Sequence, residues 1–352
     1  MRKTQKDVLI VGQGIAGTCL SFFLEKLGKS YDIIDRKIPV SASRAAAGIM
    51  NPVTGKFFSL SWEYPMLYPL AIETYMGIAN LLGIESKFST PIFRVLKNAS
   101  QENEWQYRAG QEMYAPFMSD KLSGIGRENL ELQGTAIGAL RHGYQVPVPL
   151  IIEKWRERLI SQVAFIEGDF DFKQLEISPE FVEYKSSTYK HIIFCDGAQM
   201  MNNPFFNYLP MQPAKGEALL IHAPDLKMNS ILKEEVFIAP WHIADHYWIG
   251  ATYAWNTLDN QPTEEKQNYL EAELNRMIKI PFTIISRLAG IRPAVKDRKP
   301  LVGIHPKHPN LCLLNGLGTK GTSLGPFAAD ALCKLLYLNT ELPKAIDIRR
   351  FQ

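Results

Sequence analysis

The sequence predicts a mixed α/β (α+β) protein, in which a Rossmann-like domain is interleaved with a second domain built on a mixed, largely antiparallel sheet. Three observations predict this fold class. An apolar strand, a glycine-rich turn, a helix and a second strand open the chain, and an apolar strand at 191–195 suits the same parallel sheet. Short strand and turn signals replace that pattern at 91–142 and 209–289. At 352 residues, the chain exceeds the size that one core usually serves.

The composition argues against a membrane-spanning protein and against a metal site formed by cysteines. The chain is 46% hydrophobic and 21% charged, as globular proteins are, and it has no apolar run long enough to span a membrane. Its net charge of +3 is too small to indicate nucleic-acid binding by itself. Cys19, Cys195, Cys312 and Cys333 lie far apart in apolar surroundings, without the spacing of metal ligands. We therefore expect buried thiols, no metal and a cytoplasmic location.

The first element predicts a dinucleotide clamp. Strand 7–11 runs into Gly12-Gln13-Gly14-Ile15-Ala16-Gly17, and helical periodicity follows over 18–27. Gly12 suits the tight turn, Gly14 allows backbone to approach a pyrophosphate, and Gly17 allows the helix to pack on the strand, so that the helix N-terminus meets the phosphates. Basic residues before an apolar stretch also resemble a secretory signal, but the glycine spacing and the absence of a cleavage site argue against one.

The second strand, 31–34, ends in Asp35 and Arg36. Asp35 lies 23 residues beyond Gly12, which suits a carboxylate that accepts hydrogen bonds from the adenosine ribose. An acid at this position disfavours a 2′-phosphate and hence NADP. The alternative is an ordinary α/β turn with a solvent-exposed Asp35.

The middle of the chain supplies the second domain. A loop of small residues at 41–52 precedes a helix at 64–82, for which Gly83 is a suitable C-cap. A strand at 92–96, a polar helix near 101–110 and a helix at 150–160 follow. Strands at 236–240 and 247–252 predict a hairpin around Ala244 and Asp245, and a helix at 263–278 ends this part. The hairpin setting of His242 and His246 argues against a helix-borne zinc site.

The last 63 residues carry a second cluster. Gly290-Ile291-Arg292-Pro293 precedes a strand at 311–314, a glycine-rich loop at 315–321 and a helix from Pro326 to Leu338, which predicts a second backbone cradle facing the same cofactor. The guanidinium of Arg292 suits a carboxylate, while a scaffold salt bridge with Asp297 is the alternative. The sequence GTSLG at 321–325 matches a hydrolase elbow, but the strand ends near Asn315, eight residues before Ser323, which argues against it.

In combination, these segments resemble the flavoprotein amine oxidoreductase superfamily that includes D-amino acid oxidase, glycine oxidase and sarcosine oxidase. The segments that carry the resemblance are the clamp with Asp35, 43–50, 192–198, 212–217, 290–293 and 316–326, whereas 86–142 matches loosely. Residues 45–52 and 316–321 are also similar to the oxidase domain of the bifunctional enzyme that makes 5-methylaminomethyl-2-thiouridine in tRNA. That domain removes a carboxymethyl group from a secondary amine.

The resemblance implies FAD as the cofactor, with a discontinuous FAD-binding domain (1–85, 143–210 and 290–352) and a substrate domain (86–142 and 211–289). The expected cofactor-binding residues lie in the clamp, the second strand, the small-residue loop, the central strand end and the C-terminal cluster. They are Gly12, Gly14, Ile15, Ala16, Gly17, Asp35, Arg36, Ser43, Arg44, Ala46, Ala47, Gly48, Ile49, Asp196, Gly197, Gly290, Gly316, Gly318, Thr319, Lys320 and Gly321.

The resemblance also implies a reaction. Arg292 falls where several members bind the substrate carboxylate, and Lys320 is a second carboxylate contact, a neighbour of the flavin O2 or N1, or a solvated loop lysine. Phe237 stands where a tyrosine sometimes serves, and no general acid or base is nominated. We expect hydride transfer from the carbon beside the amine to flavin N5, with hydrolysis of the imine.

Three functions remain open from the sequence. An FAD-dependent oxidoreductase that acts on the C–N bond of an amino acid or N-substituted glycine is favoured. A tRNA-modifying oxidase comes second, and a non-catalytic FAD-binding or an NAD-dependent protein third. The sequence does not decide whether the electron acceptor is oxygen, a quinone or a partner protein.

Overall fold

A computed structural model describes residues 4–36 and 41–351. These residues form six α-helices and twenty β-strands. The helices are α1 (Ile15–Lys26), α2 (Tyr64–Leu82), α3 (Ala99–Ala109), α4 (Val148–Ser161), α5 (Glu264–Met277) and α6 (Gly321–Leu338). The strands are β1 (Thr4–Val11), β2 (Tyr31–Asp35), β3 (Ile49–Met50), β4 (Val53–Thr54), β5 (Ser59–Leu60), β6 (Ile92–Leu96), β7 (Met118–Ser123), β8 (Ala136–Leu140), β9 (Tyr144–Gln145), β10 (Phe165–Glu167), β11 (Leu175–Ile177), β12 (Val182–Tyr184), β13 (Ser187–Phe194), β14 (Ala214–His222), β15 (Ile231–Lys233), β16 (Phe237–Pro240), β17 (His246–Gly250), β18 (Thr283–Arg292), β19 (Leu301–Ile304) and β20 (Leu311–Asn315).

The first large sheet is parallel at its centre. Its order is β10-β2-β1-β13-β20, and these neighbours are all parallel, so their carboxyl ends meet at one edge. The antiparallel strands β11, β12 and β19 extend it. On β1, Val8 and Ile10 face one core while Leu9 and Val11 face another, as expected for a strand buried on both sides. The predicted Rossmann-like arrangement of the opening β-α-β unit and the strand near 191–195 is therefore confirmed.

The second large sheet has eight strands in the order β18-β14-β17-β16-β15-β6-β8-β7. All neighbouring pairs are antiparallel except β15 with β6, which confirms the mixed, largely antiparallel sheet. Its inner face, which includes Ile92, Ile231, Ala239 and Trp248, joins the core shared with the first sheet. The outer face packs against α5. The chain crosses between the sheets several times, and β18 continues through residue 290, where the sequence predicts a change of domain.

Several predicted elements are confirmed. The helix at 64–82 is α2, and its C-cap Gly83 has φ 64°. The strand at 92–96 is β6, and the hairpin of β16 and β17 turns at Asp245, which has φ 59°. The four cysteines are free and buried. No helix among the described residues has both the length and the apolar character that crossing a membrane requires.

The first and last helices begin three and five residues earlier than the sequence predicts. The first starts at Ile15 rather than at residue 18, and the last starts at Gly321 rather than at Pro326. A proline inside a helix leaves the carbonyl four residues earlier without its usual donor. Here that carbonyl belongs to Thr322, and it accepts a hydrogen bond of 2.9 Å from the hydroxyl of Tyr75 on α2. The helix therefore continues through Pro326 because a neighbouring helix supplies the missing donor.

Candidate active site

Two of the three clamp glycines, Gly12 and Gly17, lie against backbone so closely that a side chain would not fit. Gly12 has φ 103°, and a Cβ there would lie 2.5 Å from the carbonyl oxygen of Cys195 at the end of β13. A Cβ on Gly17 would overlap the carbonyl oxygen of Gly12. Gly14 is the N-cap of α1, and no side-chain cap bonds there. Ile15 and Ala16 begin α1, and apart from the Ile15 N–H, which bonds to the Ser43 hydroxyl, the N–H groups of its first turn are therefore available as an anion-binding site.

The small-residue loop at 41–48 lies against this helix end. The Ser43 hydroxyl accepts a hydrogen bond of 3.1 Å from the Ile15 amide, and a Cβ on Gly14 would lie 3.2 Å from the same oxygen. The loop also meets the second sheet, because a Cβ on Gly290 of β18 would lie 2.8 Å from the Ala42 Cα. The 41–48 loop and the end of β18 are therefore in contact, although they lie more than two hundred residues apart in the sequence.

Further along, this loop is held by a side chain of the second sheet and by one from the short β9 strand. The Trp248 indole donates to the carbonyl of Ala45 at 2.9 Å, and the Gln145 amide donates to the carbonyl of Ala47 at 3.1 Å. Gly48 has φ 70°, and a Cβ there would overlap the carbonyl of Val146. The adjoining predicted contacts, Ala46 and Ile49, are half-buried, and Ile49 pairs with Gln145 in the β3·β9 ladder.

The predicted ribose ligand, Asp35, has a partner that the sequence did not indicate. Arg156 of α4 forms an ion pair with Asp35, and its Nε donates to the Gln13 side chain at 2.6 Å. Burial raises the pKa of Asp35, while Arg156 and Arg44 oppose that rise. The neighbouring Arg36 pairs with Asp169 at the surface instead. The exposed-acid alternative for Asp35 is wrong, because its side chain is 20% exposed.

At the end of the central strand, Asp196 joins a network of amides. It accepts hydrogen bonds from Asn315 at 2.9 Å and from Asn203 at 3.1 Å. Asn315 also donates to the carbonyl of Gly197, which has φ 58°. Burial raises the pKa of Asp196 to about 6. The network ties the carboxyl end of β13 to that of β20, and neither asparagine was singled out from the sequence.

The C-terminal glycine-rich loop forms the second cradle. Gly316 and Gly318 have φ 72° and 55°, and the Gly318 amide donates to the carbonyl of Pro293 at 3.0 Å. Thr319 is exposed, and Lys320 is the N-cap residue of α6. A Cβ on Gly321 would lie 3.3 Å from the Ile15 side chain. The N-termini of α1 and α6 are therefore neighbours.

Lys320 lies half-buried in this cradle. Burial lowers its pKa, and Arg298 lowers it further. Its ammonium group has no ion pair or hydrogen bond among the described residues. The three roles that the sequence leaves open for Lys320 stay open.

Arg292 ends β18 between the two loops, two residues after Gly290 and next to Pro293. Its NH1 lies 3.2 Å from the carbonyl oxygen of Thr252, and its guanidinium lies 4.3 Å from the centre of the Tyr253 ring. A Cβ on Gly216 would overlap the guanidinium, so the arginine lies directly over that glycine. Burial lowers the pKa of Arg292.

The alternative role of Arg292 as a scaffold ion pair with Asp297 is wrong. Asp297 instead binds Arg350, with 2.9 Å between carboxylate oxygen and Nε. Arg292 has no carboxylate partner within 4.0 Å among residues 4–36 and 41–351. A half-buried guanidinium is thus left with hydrogen-bond donors free for an anion.

These residues fit an extended dinucleotide. The N-terminus of α1 suits a pyrophosphate, and Asp35, at the end of β2, suits a ribose. The tight approaches at Gly12, Gly17 and Gly48 leave no room for a larger side chain beside the loops. The 41–48 loop contacts both the N-terminus of α1 and the second sheet, so a cofactor at the end of α1 would lie near that sheet.

The chain is similar to known proteins over most of its length. The sequence model of the family described as DAO, FAD dependent oxidoreductase, matches residues 7–335. The tRNA 5-methylaminomethyl-2-thiouridine biosynthesis bifunctional protein of Aeromonas hydrophila is 25% identical, over 97% of this chain and 57% of its own length. The bifunctional protein ThiO/ThiG of a Nostoc species is 24% identical, over 94% of this chain and 52% of its own length. The chain thus spans about half the length of these curated relatives.

Solved structures show the same fold. Glycine oxidase from Geobacillus kaustophilus has a TM-score of 0.81 at 18% identity, covering 99% of this chain and 98% of its own. Iminodiacetate oxidase from a Chelativorans species has a TM-score of 0.76 at 21% identity, covering 98% of each chain.

Proposed function

The chain belongs to the DAO family of FAD-dependent oxidoreductases, and from this premise we propose that it oxidises the C–N bond of an amino acid or an N-substituted glycine. Arg292 carries the proposal. It is a half-buried guanidinium without a carboxylate partner among the described residues, and it lies between the two glycine-bearing loops. Because the family's cofactor is FAD, the NAD-dependent alternative is set aside.

The residues of this chain would orient the substrate. Arg292 binds the substrate carboxylate through two parallel hydrogen bonds, which fixes the neighbouring carbon relative to the cofactor loops. Contacts of Arg292 with the Thr252 carbonyl and the Tyr253 ring hold the guanidinium in place before substrate arrives. FAD, when bound, supplies the hydride acceptor at flavin N5. The amine is neutral when productive, and the imine product hydrolyses in water.

The test is anaerobic reduction of the flavin in the purified holoenzyme. Glycine, N-methylglycine and iminodiacetate are compared with glycinamide, which keeps the amine but lacks the carboxylate. We expect the flavin absorbance to bleach with at least one carboxylate amine and not with glycinamide. A colourless protein that releases no flavin on denaturation would contradict the proposal, as would equal bleaching by glycinamide.

A tRNA-modifying oxidase that removes a carboxymethyl group from a modified uridine is the second candidate. Tyr253 and Trp255 favour it. They are 48% and 61% exposed, and their ring centres are 5.9 Å apart beside Arg292. Exposed aromatic rings next to a carboxylate-binding arginine suit a nucleobase that carries a glycine-like group. Steeply salt-dependent binding of RNA, and flavin reduction by carboxymethylaminomethyl-uridine RNA but not by free amino acids, would identify this function.

The buried free thiols support a reducing compartment, and we place the protein in the cytoplasm.

A further inference from the structure

A pair of cations lies on the inner face of the second sheet, away from Arg292. Lys233 of β15 is in register with Arg94 of β6 on one side and with Phe237 of β16 on the other. Side chains alternate between the faces of a strand. Because Ile92 and Ile231 face the core between the sheets, Arg94 and Lys233, each two residues later, face it too.

Neither cation forms an ion pair within 4.0 Å among the residues that the structure describes, although the Glu235 carboxylate attracts both cations from farther away. Arg94 lies 5.3 Å from the centre of the Phe58 ring, and it has no hydrogen bond or ion pair among the residues that the structure describes. The Lys233 ammonium donates to the backbone carbonyl of Glu235 and lies 5.0 Å from the centre of the Phe237 ring. The Glu235 carboxylate is itself bound by Lys97 at the exposed rim.

The two cations are therefore held close together in a partly dry environment. Burial lowers the pKa of Lys233 to about 8, and Arg94 contributes to the fall, while the Glu235 and Glu234 carboxylates oppose it. Burial also lowers the pKa of Arg94. Charged groups that are taken out of water are normally paired, because an unpaired charge there is unfavourable. An anion between Arg94 and Lys233 would relieve both the desolvation and the mutual repulsion.

We propose that Arg94 and Lys233 form an oxyanion site that binds a phosphate group. The guanidinium offers a planar set of donors and the ammonium a compact charge, a combination suited to phosphate oxygens. Phe58 and Phe237 line the site and keep the local dielectric low, which strengthens the attraction.

This site is distinct from the proposed carboxylate site. Four strand-to-strand steps separate β15 from β18, which carries Arg292. At about 4.8 Å per step, the two strands are roughly 19 Å apart. A small amino acid bound at Arg292 does not reach across that gap. The phosphate is either free in solution or carried as an ester on a larger molecule.

Binding of inorganic phosphate to the holoenzyme tests the proposal, with calorimetry and thermal unfolding as readouts and sodium chloride at equal ionic strength as the salt reference. We expect phosphate to bind and to raise the unfolding temperature. Arg94→Met and Lys233→Met should each weaken phosphate binding at least 10-fold. Because each change also removes an unpaired cation, the variants should fold as well as the wild type when phosphate is absent.

Arg127→Met is the matched control. Phe93 precedes Arg94 on β6, so its side chain lies on the opposite face of the sheet. Arg127 packs 5.5 Å from the centre of the Phe93 ring, so Arg127→Met also removes a contact between an arginine and an aromatic ring. Phosphate binding should be unchanged in this variant. Absence of phosphate binding, an equal effect of chloride, or equal weakening in all three variants would overturn the site.

Ribose 5-phosphate distinguishes the two sources of the phosphate. Tighter binding of the ester than of inorganic phosphate identifies a phosphate ester as the ligand, whereas equal or weaker binding identifies the free anion. Either result supports the site. Flavin reduction at the Arg292 site is measured separately, so failure of one proposal is distinguishable from failure of the other.

Discussion

At the scale of single residues, the role of a charged side chain depends on whether the fold places an oppositely charged group beside it. Asp297 is occupied by Arg350, and the neighbouring contacts of Arg292 are backbone carbonyls and an aromatic ring. Carbonyls orient a guanidinium without neutralising it. Arg292 is therefore prepared for an incoming carboxylate.

We expect Arg292→Ala to raise the KM for carboxylate substrates by about 100-fold, because charge-assisted hydrogen bonds contribute about 1.5–3 kcal/mol each. The flavin content of the purified variant should be unchanged. Steady-state kinetics and the flavin absorbance measure the two effects. Arg287→Ala, on the same strand but paired with Glu271 at the surface, is the control. An unchanged KM in Arg292→Ala would reject the carboxylate role.

The ion pair of Asp35 with Arg156 predicts a pH dependence of FAD affinity. The carboxylate form of Asp35 accepts hydrogen bonds from ribose, so affinity falls as pH falls through its pKa. Burial raises the pKa of Asp35 and Arg156 opposes the rise. In Arg156→Gln the pKa of Asp35 should therefore be higher still, and FAD affinity should decline at a higher pH than in the wild type. Fluorescence titration of the apoprotein with FAD across pH measures this shift.

Arg158→Gln is the matched control for that titration. Arg158 lies on the same helix, two residues later, and pairs with Glu25 at 2.8 Å instead of with Asp35. Its pH profile should follow that of the wild type. Identical profiles in Arg156→Gln and the wild type would show that the arginine does not act on Asp35.

At the scale of elements, the start of α6 depends on a contact with another helix. The Thr322 carbonyl, which Pro326 leaves without its usual donor, accepts from the Tyr75 hydroxyl. Both residues are buried, so water does not replace that hydrogen bond readily. The hydroxyl thus stabilises the turn that carries Gly321 beside α1.

We expect Tyr75→Phe to lower the free energy of unfolding by about 1–3 kcal/mol, because it leaves a buried carbonyl unsatisfied. In a Pro326→Ala background the same change should be less destabilising, since the amide of the new alanine can bond to the Thr322 carbonyl. Urea unfolding of the four proteins measures the coupling. Equal destabilisation in both backgrounds would show that the proline and the tyrosine are independent.

The same elements show how much of the structure can be predicted from the sequence. Periodicity and capping predict α2 to the residue, and the spacing of Gly12, Gly14 and Gly17 predicts the clamp. These signals are local. The start of α6 was missed because it depends on a hydroxyl on another helix. Arg156 was missed because helical periodicity does not reveal which acid an arginine side chain meets.

At the scale of the whole molecule, the small-residue loop joins the two sheets. Trp248, on the second sheet, donates to the carbonyl of Ala45, while Gly14 and Ile15 at the start of α1 contact Ser43. The loop is therefore held from both sides at the place where FAD is expected. Substitutions in the second sheet that disturb this loop should therefore change the affinity for FAD.

Trp248→Phe tests this coupling. We expect the Kd for FAD to rise about 10-fold, because the loss of one buried hydrogen bond to the loop amounts to about 1–1.5 kcal/mol. Trp105→Phe is the control: its indole donates to the carbonyl of Ser119 at 2.8 Å, so it loses an equivalent bond without touching the loop. Both variants should unfold more easily than the wild type, as urea titration measures, but only Trp248→Phe should bind FAD more weakly in fluorescence titration. Equal FAD affinities in the two variants would mean that the second sheet covers the cofactor loop without controlling its conformation.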